Sequence, residues 1–142
     1  MKKIIFPFLL LFTLYTKAQT EQIVGTYNIK SASSDGIIEW KLTLNHNKTF
    51  SFYFNRDLKN QVISDPRDHQ SGKGRWTTKN NYIYFHSQES DFDDTYTLDF
   101  NNSKAVFKTK HPRDKSKRVI TPHLIFLETN IPWMKRLKMD KK

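Results

Sequence analysis

Apolar and polar residues alternate along most of this chain with a period of two, and helical spacing is nearly absent. The cleanest stretch is 37–45. Ile38, Trp40, Leu42 and Leu44 share one face, and Glu39, Lys41 and Thr43 share the other. The next, 49–55, puts Phe50, Phe52 and Phe54 against Ser51, Tyr53 and Asn55. One apolar and one polar face is what a half-buried antiparallel strand requires. The same reading predicts strands at 24–31, 73–78 around Trp76, 82–87 with Ile83 and Phe85 inward, 95–100, 104–109 and 119–128. In 95–100, Tyr96, Leu98 and Phe100 share a face. The joints Asn45-His46-Asn47-Lys48, Lys79-Asn80-Asn81 and Asn101-Asn102-Ser103 are Asn-rich. Asn suits such turns because its side chain bonds nearby backbone and it tolerates positive φ.

Eight strands in a row, mostly joined by short turns, form a meander. Left flat, it would expose two edges and an apolar face; rolled up, it pairs the edges and buries that face. The expected fold is therefore all-β: an eight-stranded antiparallel up-and-down barrel, closed or partly open. The first strand, 24–31, is expected to pair with the last, 119–128. Two longer connections interrupt the pattern. Residues 56–72 form a polar connection with an apolar island at Val62-Ile63, a candidate lid. Residues 110–118 read KHPRDKSKR. Beyond Pro132, Trp133 and Leu137 stand four apart among basic residues, which predicts a short helix or basic tail over 131–142.

The N-terminus departs from the pattern. Lys2 and Lys3 precede an apolar run of about twelve residues ending near Thr16-Lys17-Ala18. That is the layout of a secretory signal peptide, too short to span a bilayer. The expected organisation is a signal peptide at 1–18, a barrel domain at 19–130 and the tail at 131–142. The chain has no cysteine. An exported domain without disulfides must be stabilised by its core and strand pairing. Export to a bacterial periplasm or the medium is expected.

Charge is unevenly spread. Residues 19–103 carry 9 basic and 11 acidic groups, whereas 104–142 carry 12 basic and 3 acidic. Lys110, Arg113, Lys115, Lys117 and Arg118 form one cluster; Lys135, Arg136 and Lys138 begin a second. Such asymmetry suits an anionic polysaccharide, a lipid surface or an acidic protein, or simply solvated termini. No nucleic acid is expected, because no reading motif accompanies the charge.

Part of the chain resembles the lipocalins. Ile23-Val24-Gly25-Thr26-Tyr27 is similar to the Gly-x-Trp opening of that family, with Tyr27 in the place of Trp. Trp40-Lys-Leu-Thr-Leu, Thr49-Phe50-Ser-Phe52, Gly72-Lys-Gly74-Arg-Trp76 and Tyr82-Ile83-Tyr84-Phe85 follow in the order of small exported bacterial lipocalin-like domains. The second lipocalin signature is missing. The resemblance covers about residues 23–107. It implies a calycin-type barrel that binds a small apolar or amphipathic molecule in its mouth, and it implies no catalytic residue.

The candidate ligand-binding residues are Trp40, Phe50, Phe52, Phe54, Trp76, Phe85 and Tyr96. Their rings can line a cavity or fill it, and eight-stranded barrels are narrow enough to be packed solid. Catalysis is not expected, since no Ser/His/Asp or Cys/His arrangement is present. Only four glycines occur, too few for a phosphate loop, and no cofactor is expected. His46, His69, His86, His111 and His123 lack metal-ligand spacing. Asp91, Asp93 and Asp94 lack the glycine and glutamate of a calcium loop and are expected to form a solvated turn.

Overall fold

The structure, a computed structural model, describes residues 20–60, 63 and 65–142. The expected signal peptide, and Val62 of the expected lid, lie outside the described residues.

Eight antiparallel strands form a closed barrel in sequence order: β1 (Gly25–Ser33), β2 (Gly36–Leu44), β3 (Thr49–Leu58), β4 (His69–Lys79), β5 (Tyr82–His86), β6 (Ser103–Lys108), β7 (His123–Glu128) and β8 (Lys138–Lys141). Each pairs with the next, and β8 returns to β1 through Tyr27↔Lys141 and Asn28↔Asp140. The up-and-down meander barrel expected from the alternation is therefore the fold. Asn80 and Asn102 take positive φ (56° and 58°) in two of the three expected turns, whereas in the first it is Lys48 that does so (65°).

The barrel closes differently from the expectation. β7 covers only the last six residues of 119–128 and pairs with β6 and β8, not with β1. Val119 is 95% exposed. The closing strand comes from the expected tail. There Pro132–Met134 makes one 3-10 turn rather than an α-helix, and Arg136 takes positive φ (69°). The chain then extends as β8, a strand with one buried side chain, Met139. One apolar position in four residues is too little periodicity to announce a strand.

The segment 95–100 is not a strand of the barrel either. β5 pairs directly with β6, leaving no slot between them. Instead Ser71 and Tyr96 form a single parallel bridge, and the Thr97 and Leu98 amides both donate to the Ser71 carbonyl at 3.0 Å. This folds the β5–β6 connection back over β4 and drives Phe100 into the interior. Gly72 makes room: a Cβ there would stand 2.7 Å from Phe100 Cδ2. The lid candidate is shorter than 56–72, because β3 runs to Leu58 and β4 starts at His69.

The interior is filled with side chains. Phe100 meets Phe50, Phe52 and Phe85 at centroid distances of 4.9, 5.3 and 5.8 Å, and Phe85 stacks on Phe126 at 5.4 Å. All five rings are buried. At the end where β1 begins, Ile23 is buried and its carbonyl accepts from the buried Tyr27 hydroxyl. Burial pushes the Tyr27 phenol well above its usual range. Lys48 Nζ donates to Thr20 Oγ1 at 3.1 Å and lies 4.0 Å above the Trp76 ring, and Lys141 Nζ donates to the Gln22 carbonyl at 2.6 Å. Burial lowers the pKa of Lys48 and of Lys141.

Candidate functional site: an aromatic and arginine mouth

The inward register of β2 and β3 continues past the filled interior to the opposite end. Trp40 and Phe54 are direct cross-strand partners with ring centroids 5.4 Å apart. On β4, Gln70 stands opposite Phe54. Two residues further along β3, in the same register as Phe50, Phe52 and Phe54, comes Arg56. Trp133, in the 3-10 turn between β7 and β8, packs on Phe54 at 5.2 Å and on Phe52 at 6.0 Å.

These groups border an open cavity of about 500 Å³, lined among the described residues by Trp40, Phe54, Arg56, Arg67, Gln70 and Trp133. That volume is within the range of small-molecule sites. Its position is shallow: Phe52 and the rings beneath it close the way inward.

Two ion pairs shape the rim. Asp68 is buried, and its Oδ1 accepts from Arg56 Nε at 2.6 Å and Nη2 at 2.5 Å. A buried carboxylate needs such a partner, because desolvation opposes its charge. The 3-10 turn Pro66–Asp68 holds this acid in place. Asp65 caps that turn by accepting from the Arg67 amide at 2.8 Å, and Asp68 Oδ2 accepts from the Asp65 amide at 3.3 Å. Arg67 folds back on Asp65 through Nε and Nη2. The side-chain and backbone hydrogen bonds from Arg67 hold the Asp65 carboxyl down at about 2. The Trp40 Nε1–H lies in the wall with no partner among the described residues.

The seven expected ligand residues divide three ways. Trp40 and Phe54 line the mouth. Phe50, Phe52, Trp76 and Phe85 are buried core, and Trp76 Nε1 is already bound to the Thr49 carbonyl at 3.0 Å. Tyr96 faces outward beneath Lys73 Nζ, 4.1 Å from its ring, beside a polar surface groove. The reading of residues in order missed Arg56, Arg67, Gln70 and Trp133. Only Arg56 carried a signal, the continued parity of β3.

The basic residues do not gather on one surface. Lys110, Arg113, Lys115, Lys117 and Arg118 lie in the β6–β7 connection, Lys135 and Arg136 in the β7–β8 connection, and Lys138 starts β8. Successive connections of an up-and-down barrel fall at opposite ends. Several charges are also engaged: Lys110 Nζ donates to the Ser116 carbonyl at 2.5 Å, Arg118 lies 3.5 Å from Asp114, and Lys138 lies 3.6 Å from Asp140. Among the described residues no three His, Asp or Glu side chains converge as a metal site. Asp93 instead accepts from the Tyr96 and Thr95 amides, both at 2.8 Å, bonds that hold its carboxyl below the usual range.

Comparison with protein-family models, with curated proteins and with solved structures returned no match.

Proposed function

We propose that the protein is an exported, non-enzymatic, lipocalin-like binding protein that takes a small amphipathic molecule at the Trp40–Trp133 mouth of its barrel. The observation that carries this reading is the shallow cavity of about 500 Å³, with aromatic walls and an arginine rim. Aromatic surface with a few convergent polar groups is the usual make-up of a small-molecule site. The competing idea, an anionic partner gripped by the basic C-terminal third, draws less support. Residues 110–118 and 135–138 lie towards opposite ends of the barrel, and of the second group only Lys141 and Lys142 return towards the first.

Native mass spectrometry of the protein purified from its own source tests the binding reading. A retained small molecule, lost in Trp133→Ala, is the expected result. Failure to retain or take up any amphipathic compound, together with unchanged spectra for Trp133→Ala, overturns it. Export is tested by the N-terminus of the protein outside the cytoplasm, which should begin near residue 19.

A further inference from the structure

We infer that the mouth selects a compact, flat aromatic monoanion, an aryl carboxylate or sulfonate, over neutral molecules and long acyl chains. This inference rests on the mouth-binding reading above and specifies its ligand.

Three features carry it. The first is the balance of donors and acceptors. The polar side chains that line the mouth are Arg56, Arg67 and Gln70, and the Trp40 indole N–H is a buried donor with no partner among the described residues. All four are donors, and Gln70 Oε1 is the one side-chain acceptor among them. The balancing carboxylates are not part of the described lining: Asp68 is buried against Arg56, and Asp65 clamps Arg67. A ligand that fills this mouth must therefore bring acceptors, and a carboxylate or sulfonate brings the strongest.

The second is the number of charges. Arg56 and Arg67 each use Nε and Nη2 in their ion pairs, leaving Nη1 outside them. The four charged groups sum to zero. What remains is directional donor capacity held in place by carboxylates, not a surplus of positive charge. That favours one negative charge, since a polyanion would gain no net attraction from groups whose charges already cancel.

The third is shape. The faces of Trp40, Phe54 and Trp133 meet at shallow angles, with interplanar tilts of 41° and 39°. Below them Phe52 packs on Phe100, and Phe100 on Phe50 and Phe85. An acyl chain has no shaft to enter. A fused-ring body stacks on the walls without displacing the core.

Two fluorescent probes with the same aromatic body separate the claims: 1-anilinonaphthalene-8-sulfonate, an anion, and N-phenyl-1-naphthylamine, which is neutral. The sulfonate should bind at one site about tenfold more tightly, a difference of the size expected for a charge-assisted hydrogen bond. Its affinity should fall with added salt while that of the neutral probe holds. Arg67→Gln should weaken binding of the sulfonate several-fold more than binding of the neutral probe, and an equal loss for both would overturn the role of the guanidinium. Hexadecanoate should fail to displace the sulfonate. Equal binding of both probes overturns the anion preference and leaves mouth binding standing. Tight displacement by hexadecanoate overturns the compact-ligand claim. Binding of neither probe overturns mouth binding and this inference with it.

Discussion

Single residues at close quarters decide how the interior packs, and Gly72 and Phe100 make the clearest pair. Phe100 reaches the core only because Gly72 has no Cβ to meet it. Gly72→Ala should destabilise the fold by about 1–3 kcal/mol through overpacking. Phe100→Ala, which empties a fully buried ring site, should cost about 3–5 kcal/mol. Urea unfolding of both variants measures these losses; two unchanged midpoints would show that Phe100 does not fill the core. Gly74 is held by backbone conformation as well as by space. Its φ is +159°, and an added Cβ would stand 3.0 Å from Phe50 Cε1.

Asp65 provides a pH signature at the same scale. Its folded pKa of about 2 lies below the ordinary value of 3.8. A depressed carboxyl contributes stability above its unfolded pKa, and that contribution is lost as pH falls through the folded value. The Asp65 carboxyl resonance should therefore titrate near pH 2. In Arg67→Gln it should move up towards 3.8, and a midpoint unmoved by that substitution would refute the Arg67 clamp. The group is exposed, so the effect on global stability should be small.

Among the elements, β8 does more than its length suggests. With four residues and one buried side chain, it supplies the edge that both β1 and β7 need. Without it, two strands would present unpaired backbone groups to solvent. Removing residues 138–142 should abolish the cooperative unfolding transition. Met139→Ala should keep the transition and lower stability by about 2–5 kcal/mol. Circular dichroism during thermal melting distinguishes the two. A truncated chain that melts like the full one would show that closure through β8 is dispensable. The β5–β6 connection makes a related point. It is no strand of the barrel, yet it delivers Phe100 and anchors Tyr96 to Ser71 of β4.

At the scale of the whole molecule, the barrel has two unlike ends. One is stoppered by Ile23, Tyr27 and the Lys48 and Lys141 hydrogen bonds to Thr20 and Gln22. The other opens between Trp40 and Trp133. Traffic of a ligand is therefore expected through one mouth only. Trp133, with 40% of its surface exposed, is the wall most able to report it. Ligand binding should change the emission of Trp133 while leaving that of Trp76, buried at the stoppered end, unaltered. Single-tryptophan variants check this, and a response confined to Trp76 would locate binding at the wrong end.

The alternation of apolar and polar positions determined the class, seven of the eight strands and their antiparallel order, because a period of two commits each strand to one buried face whatever lies beside it. It also placed Trp40 and Phe54 on the inner face; Arg56, read as the start of the 56–72 connection, joins them because β3 runs on to Leu58. Tertiary structure alone decided which segment closes the ring, since a short polar strand acquires its role from the two edges waiting for it. It likewise decided that Phe50, Phe52, Trp76 and Phe85 fill the interior. Inward direction is a local property, but whether a cavity remains depends on every other ring, including Phe100 from an irregular connection. The mouth was the least legible feature. Trp133 stands more than sixty residues along the chain from Arg67 and Gln70, and only closure of the barrel brings them together.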